Sequence, residues 1–343
     1  MRITVSVLAV AALLAGCNSG GAKSFEFGPD SGATSLGTMH ADHHKSWVSP
    51  DAGSNRYLLF ISDHATGDVD IFAWPGLKLE GTLTGFHDLG SECSDRSGHV
   101  YIVSQALNGT IGEYSRTGSL LNSYTDPYGS PAACAVNPTN GDLAVTDNIS
   151  YCGSDCSAGH VLIFSSPSSP PKVVQNPVED NYDSVGYNPR GVLWEDGSDF
   201  NGHVLLSSCG NKKCKTINLS GGSVYSPGTV LWDKTHANWV IFDLNCNRYG
   251  SGSGYGGACS YPVSAQGVLG PQTMYLTDNG GQVCDLVQAV IAPGGKSVAG
   301  GDYDWCGYDH SVVARWGYPS GGNPTKEYIG AEPVGAAISA MPR

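Results

Sequence analysis

The sequence contains few charged residues, and basic residues are particularly scarce. Only 14% of its 343 residues are charged, and 18 Lys and Arg against 31 Asp and Glu give a formal net charge of −13 at pH 7. Because proteins that bind nucleic acid carry a basic surface, we expect no nucleic-acid partner. Acidity by itself usually serves solubility and identifies no partner.

The sequence also lacks the long tracts of Leu, Ala, Glu and Lys that are typical of helical proteins. Gly is abundant instead, with 47 residues, and Tyr (17) outnumbers Phe (8). This composition favours many short strands and tight turns. A chain of this length is either one large all-β domain or two ordinary domains.

Several enzyme signatures are absent as well. We find no Gly-x-Ser-x-Gly elbow, no His-Glu-x-x-His helix and no phosphate-binding loop. The Gly-rich run at 249–257 lacks the strand-to-helix context and the Lys of a nucleotide site. The Cys spacings contain no paired C-x-x-C knuckle, which argues against a structural zinc site.

The N-terminal residues indicate export. Met1-Arg2 is followed by an uncharged, mostly apolar segment, 3–15, which is too short to span a membrane permanently. It leads into Leu14-Ala15-Gly16-Cys17, which resembles a bacterial lipobox, where a peptidase cuts before the Cys and a lipid is attached to its thiol. We therefore expect a lipoprotein signal peptide at 1–16, lipidation of Cys17 and anchoring in the bacterial cell envelope on the extracytoplasmic side. An ordinary secretory signal or an uncleaved anchor is the alternative.

Residues 17–54 are Gly- and Ser-rich at first and then polar, which predicts a flexible tether between the membrane and the folded domain. The tether contains His40-Ala41-Asp42-His43-His44, whose imidazole nitrogens suit a transition metal. Clustered His residues in a tether are more often only solvated.

The cysteine count agrees with export. Lipidation of Cys17 removes one of 11 Cys, and the other ten are able to pair in an oxidising compartment. The spacings predict four local pairs and leave two residues for each other: Cys152–Cys156, Cys209–Cys214, Cys246–Cys259, Cys284–Cys306 and Cys93–Cys134.

A two-strand pattern recurs along most of the chain and is clearest at 129–147. There a short apolar strand, a turn of Asn, Pro and Gly, a second apolar strand and a final Asp follow one another. Corresponding second strands end at Asp63, Gln105 and Asp147, which are 42 residues apart. A fixed period of this size is typical of a propeller built from four-stranded blades.

Later units are less regular, and the register between residues 215 and 275 stays open. Inner and second strands are predicted in pairs at 189–194 and 202–208, 227–232 and 239–243, and 287–295 and 296–302.

The two ends of the repeat region complement each other. The chain ends on an inner-strand pattern at 332–339, whereas its first repeat begins with a second strand at 57–63, whose continuous apolar run predicts burial on both faces. We therefore expect an all-β, six-bladed β-propeller over residues 55–343, closed by pairing of the N- and C-terminal strands. A pair of β-sandwich domains would explain neither the period nor the complementary ends.

The repeat unit, clearest from Pro131 to Phe164, resembles the NHL-type repeat of six-bladed propellers. This resemblance covers residues 55–340 and implies the architecture, because propellers of this shape carry unrelated activities. They include scaffolds for protein and RNA binding, a peptidylamide lyase domain and the calcium-dependent lactonases of the SMP-30 group. Those lactonases hold a metal with a Glu, an Asn and an Asp. The sequence does not place this trio, since Glu92 and Glu332 border inner strands but lack the family's Glu-Gly-Pro setting.

In such a propeller, the loops from second to third strands and the loops entering inner strands lie on one face. Cys152–Cys156, Cys209–Cys214 and Cys246–Cys259 are expected in the former loops, and Cys284–Cys306 would join one kind of loop to the other. Braced loops on a scaffold suit a binding site, although stapling against proteolysis is an equal explanation. The aromatic residues expected on this face are Tyr128, Tyr182, Tyr225, Tyr249, Tyr255, Trp305 and Tyr308.

The leading hypothesis is a lipid-anchored propeller that binds a protein or glycan through this braced face, with Tyr249, Tyr255, Trp305 and Tyr308 as binding residues. The alternative is a metal-dependent hydrolase or lyase that uses a divalent cation. Its candidate catalytic residues are His64, His87, His310 and Asp304. The Asp residues that end second strands, Asp63, Asp147 and Asp243, are expected to cap turns. A purely structural envelope component is a third hypothesis.

Overall fold

The computed structural model describes residues 45–106, 109–148, 159–210, 212–244, 246, 258–277, 283, 286–303 and 311–342. These residues form 25 strands and one short 3-10 helix, Ala52–Ser54. Within them, no helix is long and apolar enough to cross a membrane.

The strands are numbered in chain order. The first twelve are β1 (Trp47–Val48), β2 (Tyr57–Asp63), β3 (Asp68–Ala73), β4 (Lys78–Leu83), β5 (Leu89–Ser94), β6 (Val100–Ser104), β7 (Thr110–Tyr114), β8 (Leu120–Thr125), β9 (Ser130–Val136), β10 (Leu143–Asn148), β11 (His160–Phe164) and β12 (Lys172–Val174). The others are β13 (Asn181–Tyr187), β14 (Leu193–Ser198), β15 (Val204–Cys209), β16 (Cys214–Ile217), β17 (Pro227–Asp233), β18 (Asn238–Asp243), β19 (Cys259–Val263), β20 (Met274–Tyr275), β21 (Ala289–Ile291), β22 (Ser297–Asp302), β23 (Val312–Gly317), β24 (Gly321–Ile329) and β25 (Pro333–Ala340).

The strands form six antiparallel sheets, which are the blades of a closed propeller. From the axis outwards, blade 1 contains β25, β2, β3, β4 and β1, and blades 2 to 6 contain β5–β8, β9–β12, β13–β16, β17–β20 and β21–β24. Neighbouring inner strands contact one another around the ring, and β25 contacts both β5 and β22. The predicted six-bladed propeller is confirmed.

Blade 1 closes the ring with strands from both ends of the chain. The C-terminal strand β25 pairs with β2 over seven residue pairs, from Tyr57↔Ala340 to Asp63↔Pro333. This is the predicted closure. In addition, β1 pairs with β4 as a fifth, outermost strand. Because β1 lies within 17–54, the segment predicted as tether, the propeller takes in residues before position 55.

The core lies between the blades, and β2 illustrates why its sequence is apolar at every position. Leu58 and Phe60 pack towards blade 2, against a cluster that includes Leu89, whereas Leu59 and Ile61 pack towards blade 6. All four side chains are buried. A strand between two blades buries both of its faces, so the alternation of polar and apolar residues disappears.

Blade 4 differs from the prediction. The segment 202–208, predicted as a second strand, contains most of β15, which is the third strand of the blade. The true inner and second strands, β13 and β14, have the sequences NYDSVGY and LWEDGS. Their buried acidic residues hide them from a hydrophobicity pattern, whereas Val204, Leu205 and Leu206 form an apolar run.

Small residues let the inner strands approach closely at the axis. A Cβ atom at Gly335 of β25 would lie 2.5 Å from the carbonyl oxygen of Gly90 in β5, and one at Gly186 of β13 would lie 2.5 Å from that of Val230 in β17. Real Cβ atoms do not come this near to a carbonyl oxygen, so only Gly permits this spacing of the backbones.

Side chains satisfy the edges of inner strands that face the axis. The Ser184 hydroxyl accepts a hydrogen bond from the Val230 amide at 3.0 Å, and the Thr229 hydroxyl accepts one from the Ala289 amide at 3.0 Å. The Gln288 side chain accepts hydrogen bonds from the amides of Glu92 and Ala336, both at 2.8 Å, and donates to the Glu92 carbonyl.

Among the described residues, three disulfides are present, each with a different position in the fold. Cys93–Cys134 joins the inner strands β5 and β9 of neighbouring blades, with 5.7 Å between Cα atoms. Cys246–Cys259 joins the loop after β18 to the first residue of β19. Cys209–Cys214 closes the hairpin between β15 and β16, a third-to-fourth-strand connection on the opposite face from the one predicted. The predicted pairs Cys152–Cys156 and Cys284–Cys306 lie outside the described residues.

We predict that replacing both Cys93 and Cys134 with Ala destabilises the protein by about 4 kcal/mol, against about 2 kcal/mol for Cys209 and Cys214. The first pair closes a loop with a sequence separation of 41, the second one of only 5, and the longer loop restricts the unfolded chain more. Equilibrium unfolding in denaturant measures both values. Equal losses in the two double variants would contradict the prediction.

Candidate functional site

The second-to-third-strand loops and the loops entering inner strands open on one side of the ring, which we call the loop face. Acidic residues at the ends of second strands hold it together. Asp63 accepts hydrogen bonds from the amides of Ala331 and Glu332 at 2.9 and 3.1 Å. These amides belong to the loop that enters β25 of the same blade, so the carboxylate fixes where that loop lies.

The same contact recurs in two further blades. Asp147 accepts a hydrogen bond from the Ser130 amide at 3.1 Å, and Asp243 accepts hydrogen bonds from the amides of Tyr225 and Ser226 at 2.9 and 3.0 Å. Each carboxylate therefore caps the loop that enters the inner strand of its own blade. These residues have the structural role expected from their position.

Besides Trp47 and Ile329 on outer strands, four apolar side chains are exposed on the loop face, over three consecutive blades. They are Tyr128, Val178 and Tyr225, in the loops that enter blades 3, 4 and 5, and Phe200, in the β14–β15 loop of blade 4. Phe200 is 69% exposed and Tyr128 is 52% exposed. We call this set the apolar arc. Tyr182, predicted as surface, is instead fully buried in β13, where its hydroxyl accepts a hydrogen bond from the Asn176 amide.

Beside Tyr128 lies a cluster of two aspartates and a histidine. The Nδ1 atom of His160 is 3.1 Å from an Asp147 carboxylate oxygen, and its ring centroid is 5.8 Å from that of Tyr128. The carboxylate of Asp126 accepts hydrogen bonds from the amides of Tyr128 and Gly129 through one oxygen. Its other oxygen is buried without a hydrogen-bond partner. Burial and the nearby Asp147 charge raise the pKa of Asp126 to about 6.

A second acidic cluster lies under the arc in blade 4. Burial raises the pKa values of Glu179 and Glu195, and the proximity of Glu179 raises that of Glu195 further. Two carboxyl groups in contact cannot both ionise at low cost, which favours a proton shared between them. Glu179 also accepts hydrogen bonds from Asn176 and Ser207.

Asp183 is the extra residue of a β-bulge in the inner strand β13, between Tyr182 and Ser184. Tyr182 packs towards blade 3 and Ser184 contacts blade 5, so the half-buried Asp183 lies at the edge near the axis. Burial and the charge of Glu179 raise the pKa of Asp183 to about 7. Asp196 behind it is fully buried, and its pKa is raised by burial and by Asp183.

The hydrophobicity pattern of the sequence does not reveal this acidic cluster, although its composition carries a signal. Acidic residues are unusually dense in two short stretches, 179–183 and 195–199, of a chain with only 31 Asp and Glu. The sequence pattern predicts no strand over either stretch, whereas they contain the beginning of β13 and the end of β14.

Two of the four candidate catalytic residues lie at the junction of blades 1 and 2. The Nδ1 atom of His64 is 3.2 Å from the Leu89 carbonyl oxygen, and the exposed His87 accepts a hydrogen bond from the Ser104 hydroxyl through its carbonyl. The first contact is made by the imidazole of His64, the second by the backbone of His87 alone. Asp304 and His310 lie outside the described residues, as do the predicted binding residues Tyr249, Tyr255, Trp305 and Tyr308.

Glu92, considered above for a lactonase trio, is buried between blades 1 and 2. The Ser62 hydroxyl donates to one carboxylate oxygen at 2.7 Å, and the other oxygen has no hydrogen-bond partner. Burial raises the pKa of Glu92 to about 8, so the carboxyl is mainly protonated at neutral pH. A protonated, enclosed carboxyl is a poor metal ligand. Glu195, Cys209 and Cys214 also converge, but the disulfide leaves no thiolate to bind a metal.

No family model matches the chain, and no curated protein matches it in sequence. Solved structures match its fold. A chain from the crystal structure of a nidogen/laminin complex aligns with a TM-score of 0.61 at 12% identity, covering 83% of this chain and 99% of the other. A periplasmic gluconolactonase of Pseudomonas aeruginosa has a TM-score of 0.55 at 13% identity, with the same coverage. A protein of unknown function from Bacteroides caccae has a TM-score of 0.57 at 9% identity, again over 83% and 99%. These likenesses show the propeller fold.

We predict that Glu92→Gln alters the pH dependence of stability. The folded protein holds a proton on Glu92 up to pH about 8, whereas an ordinary glutamate releases it near 4.5. The free energy of unfolding therefore falls as pH rises through this window, by at most about 1.4 kcal/mol per pH unit from this group. Gln cannot ionise. The variant should therefore gain stability relative to the native protein as pH rises from about 5 to about 8.

Denaturant unfolding of both proteins at several pH values measures the difference. The difference between the two curves isolates Glu92 from the other buried acids, because those are present in both proteins. Parallel curves would show that Glu92 is ionised in the folded state, contrary to the prediction.

Proposed function

We propose that the protein binds a protein or glycan partner on its loop face, through the apolar arc of Tyr128, Val178, Phe200 and Tyr225. The observation that carries this proposal is the exposure of these side chains on three consecutive blades. Aromatic and aliphatic side chains that are exposed together on a rigid scaffold are typical of interaction surfaces. The two tyrosines also offer ring faces for stacking on sugars.

The surroundings of the arc support a fixed binding surface. The loops that present Tyr128 and Tyr225 are held by Asp126, Asp147 and Asp243 through backbone amides. A surface that is ordered before binding loses less entropy when a partner docks. A propeller in a nidogen/laminin complex has the same fold, which is compatible with protein binding.

The proposal includes a location outside the cytoplasm. The disulfides indicate an oxidising compartment. The lipobox-like sequence at 14–17 supports anchoring through a lipid on Cys17, with the propeller held at the envelope surface.

Site-specific photo-crosslinking tests the surface. A photoreactive phenylalanine at Phe200 or Tyr225, in cells that carry the full-length protein, should give a discrete adduct. The same group at Leu120 should not. Leu120 is 58% exposed but lies on the outer strand β8, at its end remote from the loop face, so it controls for exposure alone.

The crosslinked partner then allows a binding measurement. Ala in place of Phe200 should weaken its binding at least tenfold, since large apolar residues at the centre of an interface dominate affinity. The proposed binding surface would be wrong if photoreactive groups at Phe200 and Leu120 gave the same adducts. It would also be wrong if neither the partner nor a glycan array distinguished native protein from the Phe200→Ala variant.

A metal-dependent hydrolase or lyase is the second candidate. Two observations favour it: Asp183 lies near the axis on the loop-face side, where a metal in such a propeller would be placed, and a gluconolactonase shares the fold. In this alternative, Asp183 would supply one ligand of a divalent cation near the axis.

This alternative predicts lactone hydrolysis that depends on an added divalent cation and is lost in Asp183→Asn. An exchange of Asp142, in the β9–β10 hairpin on the opposite face, should leave the activity unchanged. Purified protein that hydrolyses no lactone with Ca²⁺, Mn²⁺ or Zn²⁺, and whose melting temperature these ions do not shift through Asp183, would eliminate it.

A further inference from the structure

A histidine and two carboxylates converge on the face of the ring opposite the loop face, in blade 2. Asp95 and His99 begin and end the β5–β6 hairpin, and Glu113 lies on the next strand, β7. The Nδ1 atom of His99 is 2.7 Å from Oε1 of Glu113 and 3.4 Å from Oδ2 of Asp95. These three atoms all lie within 4.8 Å of one another.

We propose that Asp95, His99 and Glu113 form a binding site for a divalent transition-metal ion such as Zn²⁺. Zinc binds imidazole nitrogen and carboxylate oxygen at about 2.0–2.2 Å, so the ligand atoms of a tetrahedral site are about 3.3 Å apart. The distances from Nδ1 of His99 to the Glu113 and Asp95 oxygens, 2.7 and 3.4 Å, lie on either side of this value. An adjustment of a few tenths of an ångström would admit the ion. Two carboxylates and one neutral imidazole balance the charge of Zn²⁺.

The second oxygen of each carboxylate is held in place. The His99 amide donates to Oδ1 of Asp95 at 2.8 Å. Asn122 on β8 donates to Oε2 of Glu113 at 2.7 Å, and the Tyr124 hydroxyl lies 3.5 Å from the same oxygen. Such outer contacts orient metal ligands before the ion arrives. They leave Oδ2 of Asp95 and Oε1 of Glu113 directed towards His99.

The site combines a buried ligand with access from solvent. The Glu113 side chain is 8% exposed, whereas His99 is 34% exposed. The buried Glu113 carboxylate and the partly exposed Asp95 carboxylate both lie against one imidazole nitrogen. An ion entering past His99 would lie between the three groups and accept water as a fourth ligand.

Two related turns in the same chain show what Glu113 adds. Asp199 and His203 repeat the arrangement, with an amide hydrogen bond of 2.9 Å and a ring nitrogen 3.0 Å from the carboxylate. Asp233 and His236 form a third such pair, in which the Tyr318 hydroxyl donates to Asp233. Among the described residues, only the blade 2 turn gains a second carboxylate. The Asp–His turn is thus a local structural motif, and Glu113 turns it into a set of three ligands.

Calorimetric titration with Zn²⁺ tests the site in the complete exported protein. His40, His43 and His44 are replaced by Ala in every sample, so that the tether's imidazoles do not contribute. We expect one equivalent of Zn²⁺ to bind. His99→Asn, Asp95→Asn and Glu113→Gln should each weaken binding at least tenfold, whereas His203→Asn, the matched control, should not change it.

Asn122→Leu tests the outer contact, since it leaves all three ligands in place. Loss of such a contact should weaken Zn²⁺ binding about 10- to 100-fold. Co²⁺ provides a spectroscopic readout, because its visible absorption on the native protein should disappear in Glu113→Gln. Circular dichroism verifies the fold of each variant. If Glu113→Gln fails to fold, Asp95→Asn replaces it in the Co²⁺ measurement.

Three results would overturn the proposal. One is the absence of Zn²⁺ binding to the native protein. Another is unchanged binding in both Glu113→Gln and Asp95→Asn. The third is a loss of Zn²⁺ affinity in His203→Asn as large as that in His99→Asn, because Zn²⁺ would then bind Asp–His turns in general.

Discussion

The inner strands of a propeller each have one edge that pairs with no strand in the described sheets, and the rest of this structure depends on how those edges are satisfied. Unpaired amide and carbonyl groups near the axis would be costly if water could not reach them. Here, side chains from neighbouring blades supply the missing partners, such as Ser184 for Val230 and Gln288 for Ala336. The hydrogen bonds that satisfy one blade therefore attach it to the next, so the ring is held together by polar contacts at its centre and by apolar contacts between its blades.

The loop-face ends of blades 1, 3 and 5 are organised by a different contact. Carboxylates such as Asp63 and Asp147 hold the loops that enter their own inner strands. Since each contact lies within a blade, loops of different blades are free to differ in sequence while their starting points stay fixed. Tyr225 is an example: Asp243 holds its backbone amide, while its side chain is exposed on the loop face.

The architecture could be predicted because it leaves marks that are local in sequence. The apolar run at 57–63 and the inner-strand pattern at 332–339 belong to one blade, and each can be recognised without the other. The fourth blade could not be predicted in the same way, since β13 contains the half-buried Asp183 and β14 buries Glu195 and Asp196, so both strands resemble loops in hydrophobicity. Sites built across strands are equally hidden. Nothing in the spacing of Asp95, His99 and Glu113 indicates that Glu113 lies beside His99, because that proximity follows from the pairing of β6 with β7.

The short strand β1 has a mechanical meaning. Its first residue, Trp47, pairs with Thr82 near the loop-face end of β4, on the outer rim of blade 1. Blade 4, with Phe200, lies across the ring. Tension between a chain leaving at Trp47 and a partner held at Phe200 would therefore act along a diameter. This tension would first reach β1, which is joined to β4 by two residue pairs. By contrast, β25 is joined to β2 by seven residue pairs. Under such a load, β1 would detach from β4 before any force reached the pairing that closes the ring.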